Sequence, residues 1–335
     1  MFRVYEKVED LPPGWDAAVE HQLFLSREIL GALEKLNPCG QQYHLHQKKR
    51  LALVSYQLKL DLFTFTRGLT LKIPLRIIGI PLSVSKRGYA TVPEDLEELT
   101  HYIRSLKGFY VVLNAGSDLG LARGNTLPTC KIDLHWNSFG EYVNSMRSHY
   151  RYRVQKTLRK LSPVKIEVLE DNRLFDEEMY RLYEKVYERS KEKLEKLSIC
   201  FFREFQGKIF TFKVQEKVIG FVQLMEEEKE LIFLFGGFEH SLNQQYDLYM
   251  NMLLTIIRYG IERGCRSIDL GQTAEETKLK LGARQHPRWM YAHHSNSIFN
   301  KIIGTLVGTF SYKPYRTFHN VFKGEADENP VGKMP

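Results

Sequence analysis

The chain has few of the features that mark secreted, metal-bound or membrane-spanning proteins. It contains four cysteines in 335 residues. They are widely scattered and no pair has metal-ligand spacing, so neither a disulfide framework nor a metal site is expected. No apolar run approaches the roughly 20 residues that a membrane span needs, and the N-terminus lacks the apolar core of a signal peptide. These absences predict a cytoplasmic protein.

What the chain does contain is the composition of an ordinary globular protein, 43% hydrophobic and 26% charged. Its length is large for one core and comfortable for two domains. The net charge of +8 fits an acidic partner, which could be a phosphorylated cofactor, an RNA or an anionic membrane surface. Charge alone does not choose among these three, and the sequence leaves the oligomeric state open.

Residues 230–283 predict the centre of the fold. An almost unbroken apolar run ends in Gly236 and Gly237, as expected for a strand buried on both faces. A long helix follows, and residues 267–270 predict a second strand. Strand, helix and strand at this length predict two parallel neighbours, and ligands in such sheets bind beyond the carboxyl ends of the strands. The helix shows one narrow polar stripe, formed by Asn251, Thr255, Arg258 and Glu262.

The remaining segments predict two α+β domains. Residues 1–130 contain a buried strand, a helix and another strand in the same order. A loop rich in Gly, Asn and Pro precedes residue 130 and marks the boundary. Residues 131–323 contain a long helix capped by Ser138, an antiparallel meander and the unit described above. Residues 324–335 are polar and predict a loose tail.

The helix predicted from Ser138 to residue 161 has a strongly basic outer face. Between Arg147 and Lys160 the sequence has six Lys or Arg and no acid. Such a face is either simply solvated or binds an anion, and the sequence leaves both open. Arg151 and Arg153 are our candidates for contact with an acidic ligand.

In order and spacing these segments resemble the GNAT acyltransferase fold, and more closely its FemAB-like branch, whose members carry two GNAT-like domains in tandem. The resemblance implies two α+β domains, each with a mixed, mostly antiparallel sheet flanked by helices, and a cleft between one parallel strand pair. Residues 1–130 would be a degenerate copy. The stretches that carry the resemblance are FLSREILGALEKL, YRYRVQKTLRKL, FGGFEH and IDLGQTAEETKLKLGA.

The resemblance also implies a reaction. An acyl group would pass from acyl-CoA to the amine of a small molecule or peptide by direct attack, without a metal or a covalent intermediate. Many GNAT proteins bind the pyrophosphate with a Q/R-x-x-G-x-G/A loop, but this chain has SLNQQYDLY, with Asp247 as a carboxylate that would compete for the same amides. FemAB-like proteins commonly lack the loop, and some use aminoacyl-tRNA, so a tRNA partner stays open.

The candidate site residues follow from this resemblance. Glycine would let the donor approach the strand backbone at Gly236 and Gly237. The remaining donor-binding candidates are Gln272, Lys278, Arg151 and Arg153, and the catalytic candidates are Tyr246, Asp247 and Glu275.

Each catalytic candidate has a structural alternative. Asp247 is either a general base or a helix cap. Tyr246 is either a proton donor to the leaving group or a packing residue. Glu275 and Lys278, one turn apart, also have the spacing of a surface ion pair. His240 is either a proton acceptor or a surface histidine.

Two functions outside enzyme catalysis remain open. An RNA-binding protein would use the basic helix to follow phosphates. A membrane-surface protein would lay residues 298–318 on a bilayer, since this segment combines IIGTLVGTF with the basic aromatic piece YKPYRTF. The simpler interpretation of the segment is a final helix packed on its domain.

Overall fold

The computed structural model describes residues 1–61, 72–190, 195–308, 311–313, 315 and 317–324. The strands are β1 (Phe2–Tyr5), β2 (Gln42–His46), β3 (Ala52–Asp61), β4 (Lys72–Ile78), β5 (Tyr89–Ala90), β6 (Phe109–Ala115), β7 (Ala122–Asn125), β8 (Thr129–Asp133), β9 (Lys165–Val168), β10 (Lys208–Val214), β11 (Lys217–Glu227), β12 (Glu230–Phe238), β13 (Ser267–Asp269), β14 (Arg284–His286) and β15 (Trp289–His294). The helices are α1 (Gly14–Ala18), α2 (Arg27–Leu36), α3 (Leu96–Ser105), α4 (Phe139–Ser145), α5 (Ser148–Lys160), α6 (Glu177–Arg189), α7 (Ile199–Glu204), α8 (His240–Tyr246), α9 (Leu248–Glu262), α10 (Glu275–Leu279) and α11 (Ser297–Leu306). Across these described ranges, every helix is too short or too polar to cross a bilayer.

The chain divides into two compact units. The first consists of residues 1–127 and 287–313, and the second of residues 128–286 and 314–335. The prediction that residues 131–323 form one continuous domain is therefore wrong, because the chain returns to the first unit at Pro287. The predicted tail of residues 324–335 lies, except for Gly324, outside the described residues.

The first unit is built on a mixed sheet in the order β1-β2-β3-β4-β6-β15-β7, with β5 beside β3. Strands β4 and β6 are parallel and α3 connects them, which confirms the predicted strand–helix–strand unit. Strand β15 pairs antiparallel with both β6 and β7. This pairing places Tyr291 in the same core as Leu99 and Ile103 of α3 and explains why residues 287–313 belong to this unit.

The second unit is built on a sheet in the order β14-β8-β13-β12-β11-β10-β9. Strands β12 and β13 are parallel neighbours, as predicted. Helices cover both faces. On one face of the sheet, a Cβ atom at Gly220 would contact Met252 of α9. Gly237 is directed to the opposite face, where its Cβ atom would meet Leu182 of α6.

The predicted basic helix is two helices, α4 and α5. Ser138 caps α4 as predicted, because its hydroxyl accepts a hydrogen bond from the Glu141 N–H at 3.1 Å. The chain then leaves the helix at Arg147, whose backbone is extended and whose N–H donates to the Val321 carbonyl at 2.9 Å. A strand-like contact with the C-terminal part of the unit thus ends α4 and restarts the helix.

The long helix predicted after β12 is also two helices. Asp247 separates α8 from α9 with a left-handed backbone (φ +43°), a conformation that a non-glycine residue rarely adopts. The predicted polar stripe is wrong at Asn251, which is fully buried. Its side-chain amide donates to the carbonyls of Tyr246 at 2.7 Å and Thr157 at 3.1 Å. Asn251 therefore stabilises the break instead of facing solvent.

Candidate active site

Strands β12 and β13 diverge toward their carboxyl ends. Their ladder runs from Glu230 and Ser267 only as far as Ile232 and Asp269. Strand β12 continues, and within the described part of the chain residues 233–238 pair with β11 alone. A bulge in that pairing makes Leu234 the extra residue, and bulges often lie next to active sites. The edge of β12 beyond residue 232 therefore offers backbone groups to a ligand.

A tight turn after β13 directs the chain away from β12. Gly271 has φ +74°, which glycine adopts without strain. The Asp269 carboxylate accepts hydrogen bonds from the Gly271 N–H at 2.8 Å and from the Thr129 hydroxyl at 2.6 Å. The Lys278 ammonium donates to the carbonyls of Gly271 at 3.1 Å and Gln272 at 2.7 Å. Two buried charged groups thus hold the turn from opposite sides.

Lys278 and Glu275 do not form a surface ion pair, because their exposed fractions are only 2% and 5%. Burial lowers the pKa of Lys278 to about 8, while the nearby Cys130, Asp269 and Glu275 act in the opposite direction. The Gln285 side-chain amide donates to the Glu275 carboxylate. Sequence analysis treated Lys278 as a ligand-binding cation. In the structure its ammonium is bound to the backbone carbonyls of Gly271 and Gln272.

The two glycines near the end of β12 pack closely against other parts of the same unit. A Cβ atom at Gly237 would lie 2.5 Å from the backbone of Leu182 and Tyr183 in α6. At Gly236 it would lie 3.0 Å from the Phe221 carbonyl oxygen. The expectation that Gly237 leaves room for an acyl group is wrong, since the backbone of α6 occupies that space.

Tyr246 and Asp247 lie where α8 meets α9. Tyr246 is buried in the core and its hydroxyl accepts from the Gln245 amide at 2.9 Å, so the structure supports the packing alternative. The Asp247 carboxylate pairs with the Lys160 ammonium at 3.0 Å and accepts from the Thr157 hydroxyl at 3.2 Å. It makes no capping hydrogen bond, so the helix-cap interpretation is wrong. Asp247 links α5 to the junction.

The basic helix α5 passes along the elements that follow both cleft strands. At one end Lys160 also donates to the Gln244 carbonyl of α8 at 3.0 Å. Closer to the other end, Arg153 lies near Glu276 of α10. Lys280 is the main cause of the lowered pKa of Glu276, and the charge of Arg153 also contributes to it. Helix α8 follows β12 and α10 follows β13. The cations of α5 therefore border the carboxyl side of the opening, and among the described residues Arg151 makes no ion pair.

A histidine and a tyrosine flank the aromatic residue that ends β12. The Phe238 ring lies 4.3 Å from the His240 ring and 5.7 Å from the Tyr249 ring, centroid to centroid. Burial lowers the pKa of His240, so its imidazole is neutral at pH 7. Burial raises the pKa of Tyr249, so its phenol keeps its proton. A neutral imidazole can accept a proton and a protonated phenol can donate one, so the two rings are candidates for base and acid.

Sequence reasoning weighed His240 as a surface residue and did not consider Tyr249. The histidine is half-buried in the structure, because its ring stacks on Phe238. Tyr249 occupies a position in an apolar helix where any aromatic residue would be interpreted as core. The available signal was its place within the first turn of α9, close to the end of a parallel strand.

Gln223 is a second residue that sequence reasoning missed. It is fully buried in β11, beside the bulge, and neither its amide nitrogen nor its oxygen has a hydrogen-bond partner among the described residues. By strand alternation it shares a face with Phe221, the face that contacts Phe175 and Phe202. An unsatisfied buried amide costs about 1–3 kcal/mol, so a bound group or water is expected there. The signal was one polar residue inside the run FVQLM.

The start of α8 does not fit the pyrophosphate of CoA. Glu239 caps this helix, because its carboxylate accepts from the Ser241 N–H at 3.3 Å and the Ser241 hydroxyl at 2.9 Å. An ion pair with Lys185 helps lower the pKa of Glu239 to about 2, so the group is charged. Sequence analysis expected Asp247 to compete with the anion, but Asp247 lies at the other end of α8. The competing carboxylate is Glu239.

Comparison with known proteins identifies related folds. Residues 144–279 match the family model described as an Acetyltransferase (GNAT) domain. No curated protein sequence shows significant similarity to the chain. In the described ranges no cluster of His, Cys, Asp or Glu has the arrangement of a metal site.

Among solved structures, FemX has a TM-score of 0.58 at 12% identity, over 91% of this chain and 100% of FemX. L-PGS from Bacillus licheniformis has a TM-score of 0.53 at 11% identity, over 91% and 98%. A conserved protein of unknown function from Bacteroides thetaiotaomicron has a TM-score of 0.51 at 10% identity, over 87% and 99%. At these identities the likeness concerns the fold, and it covers both units.

Proposed function

We propose that this chain is an N-acyltransferase of the GNAT superfamily, with the tandem fold of the FemAB-like branch. It joins an acyl group to an amine in the opening between β12 and β13. The edge of β12 over residues 233–238, which pairs with no other strand among the described residues, is the observation that supports this proposal most directly. A backbone N–H on that edge can donate to the acyl carbonyl and stabilise the negative charge that develops on its oxygen.

The proton transfers fall to the two rings beside Phe238. Neutral His240 accepts a proton from the acceptor amine as its nitrogen attacks the acyl carbon. The bond between that carbon and the leaving sulfur or oxygen then breaks, and the Tyr249 hydroxyl protonates the leaving group. The lowered pKa of His240 and the raised pKa of Tyr249 keep each group in the required state at neutral pH. Tyr249 and His240 thus replace Tyr246 and Asp247 as our catalytic candidates.

The donor that we propose first is acyl-CoA, and the acceptor is the amine of a small molecule or peptide. The phosphates would lie on the cations of α5, since Glu239 occupies the helix start that other GNAT proteins use. The same observation favours a second donor, aminoacyl-tRNA. Tyr152 supports it, because this residue is 62% exposed between Arg151 and Arg153, and exposed aromatic residues among cations stack on nucleic acid bases.

A thermal-shift screen tests the donor. Acetyl-CoA, longer acyl-CoAs and aminoacyl-tRNA are each added to the full chain, and a donor that binds only the folded state raises the melting temperature. A tRNA donor should lose affinity steeply as salt rises, in proportion to the number of phosphates contacted, whereas acyl-CoA should lose less. If no donor stabilises the chain or is turned over with an amine, the proposed function is wrong.

Charge reversal tests the role of α5. We expect the double variant Arg151→Glu/Arg153→Glu to bind the donor at least about tenfold more weakly. The melting temperature should change little, since Arg153 is exposed, Arg151 is half-buried without an ion pair among the described residues, and surface cations contribute only about 0–1 kcal/mol each to stability. Arg181→Glu/Lys217→Glu reverses two exposed cations elsewhere in the same unit and is the matched control. Equal donor affinity in both double variants would mean that the basic face of α5 is simply solvated and does not bind the donor.

A further inference from the structure

Helix α11 of the first unit leaves an apolar face uncovered. No side chain within this helix is buried. The exposed fractions are 68% for Ile298, 56% for Phe299 and 47% each for Ile302 and Leu306. At 100° per residue these four side chains share an arc of about 100°. The helix is packed on its domain, as the simpler interpretation of the sequence predicted, but in the described part of the chain these four apolar side chains are left exposed.

The opposite side of α11 attaches it to the sheet of the first unit. The Asn300 side-chain oxygen accepts from the His294 N–H at 3.0 Å. At the border of the apolar arc, the partly exposed Phe299 ring lies 5.2 Å from the His294 ring. On β7, a Cβ atom at Gly124 would lie 3.1 Å from the Val307 carbonyl oxygen. These contacts fix which side of the helix faces outward, so the exposed arc is a defined surface.

The charged residues of this segment have one sign. Residues 287–313 contain Arg288, Lys301 and Lys313 and no acid. On the helix wheel, Lys301 lies about 60° from Ile298, at the border of the apolar arc. Lys107 is also near the start of α11, because its neighbour Gly108 exchanges hydrogen bonds with Ser295 at 2.9 and 3.1 Å. Apolar side chains bordered by exposed cations are complementary to the surface of an anionic bilayer.

We infer that α11 is a membrane-surface helix, which lies in the plane of an anionic bilayer and inserts the side chains of Ile298, Phe299, Ile302 and Leu306 between the lipids. A helix of ten residues is about 15 Å long. One side of it offers much less than the roughly 800 Å² per partner of a stable protein interface. A lipid surface has no such requirement. This inference concerns the first unit and does not depend on the proposed reaction.

Vesicle flotation of the full chain tests the inference. We expect the chain to float with vesicles of phosphatidylcholine and phosphatidylglycerol in equal parts. It should float much less with pure phosphatidylcholine, and high salt should weaken the binding. Ile302→Asp should lower the bound fraction at least about tenfold, and Lys301→Glu should lower binding to the anionic vesicles. Both residues are exposed, so the melting temperatures should change little. Leu174→Asp, at an exposed apolar residue of the second unit, is the control and should bind like the wild type.

Insertion has a direct readout. In Ile298→Trp, brominated lipids should quench the added fluorescence relative to the wild type, whose three tryptophans supply the background. The inference is overturned if the wild type does not float, or if Ile302→Asp and Leu174→Asp bind vesicles equally. It is also overturned if sedimentation without lipid shows a dimer that Ile302→Asp abolishes while the vesicles remain free of protein, because the face would then pair with a second copy.

Discussion

Replacing Lys278 with methionine should change how the stability of the protein depends on pH. Burial lowers the pKa of this lysine from 10.5 to about 8. Between these two values the unfolded chain binds a proton that the folded chain has released, so the free energy of unfolding rises with pH over this range. One pKa unit corresponds to about 1.4 kcal/mol. The burial penalty is therefore about 3 kcal/mol at pH 7 and falls below about 1 kcal/mol at pH 10.

Methionine has a similar volume and no charge, so Lys278→Met removes this penalty together with the hydrogen bonds to Gly271 and Gln272. We expect the stability of the wild type, relative to the variant, to rise by about 2–3 kcal/mol from pH 7 to pH 10. Urea denaturation at several pH values measures both proteins, and the contributions of titratable groups far from Lys278 cancel in the difference. Lys217→Met removes an exposed lysine, and its curve should run parallel to that of the wild type.

Parallel curves for Lys278→Met and the wild type would refute the reasoning, because they would mean that the ammonium is solvated in the folded protein. A second readout concerns the turn. Without the two hydrogen bonds to its carbonyls, the turn at Gly271 should loosen, and donor affinity should fall even at a pH where the stabilities are equal. Lys278→Arg should not restore it, since the larger guanidinium does not fit a site that is 2% exposed.

Four further variants test the same geometry. Gly237→Ala should destabilise the fold by about 3 kcal/mol in urea denaturation, because its Cβ would meet the backbone of α6 at 2.5 Å; Gly304→Ala, with open space around it, should not, and equal effects would contradict this packing. Gln223→Leu should keep or raise the melting temperature, since it removes an unsatisfied buried amide, but should lower turnover; unchanged turnover would make Gln223 structural. Tyr249→Phe should lower turnover without loss of stability. His240→Gln should remove an acidic limb of the pH–rate profile, which lies below pH 6.5 because burial lowers the pKa of His240. An unchanged profile would exclude His240 as the base.

Local chemistry was sufficient to predict many elements. Ser26 caps α2 by accepting from the Ile29 N–H, and Ser138 caps α4 in the same way. The apolar run ending at Gly237 and the short strand after Cys265 predicted the parallel pair β12 and β13. Such features depend on neighbours in sequence, which is why the family resemblance and the place of the cleft could be inferred from order and spacing.

Long-range contacts decided what the sequence could not. Arg147 leaves its helix because the Val321 carbonyl, far away in the chain, accepts its N–H. Asn251 is polar and yet buried, because the carbonyls of Tyr246 and Thr157 lie within its reach. Residues 287–313 join the first unit because β15 pairs with two of its strands. The local sequence of a strand does not predict which strand it will pair with.

The candidate site also has features that the sequence predicted and features that only long-range contacts decided. The sequence by itself predicted a parallel strand pair with a cleft at its carboxyl ends, and a basic helix in the same part of the chain. Only the tertiary structure decided what each side chain does there. Helix α6 fills the space at Gly237, Lys278 is bound to the turn, and the rings of His240 and Tyr249 both lie against Phe238. Burial and pKa depend on atoms that meet only when the chain is folded.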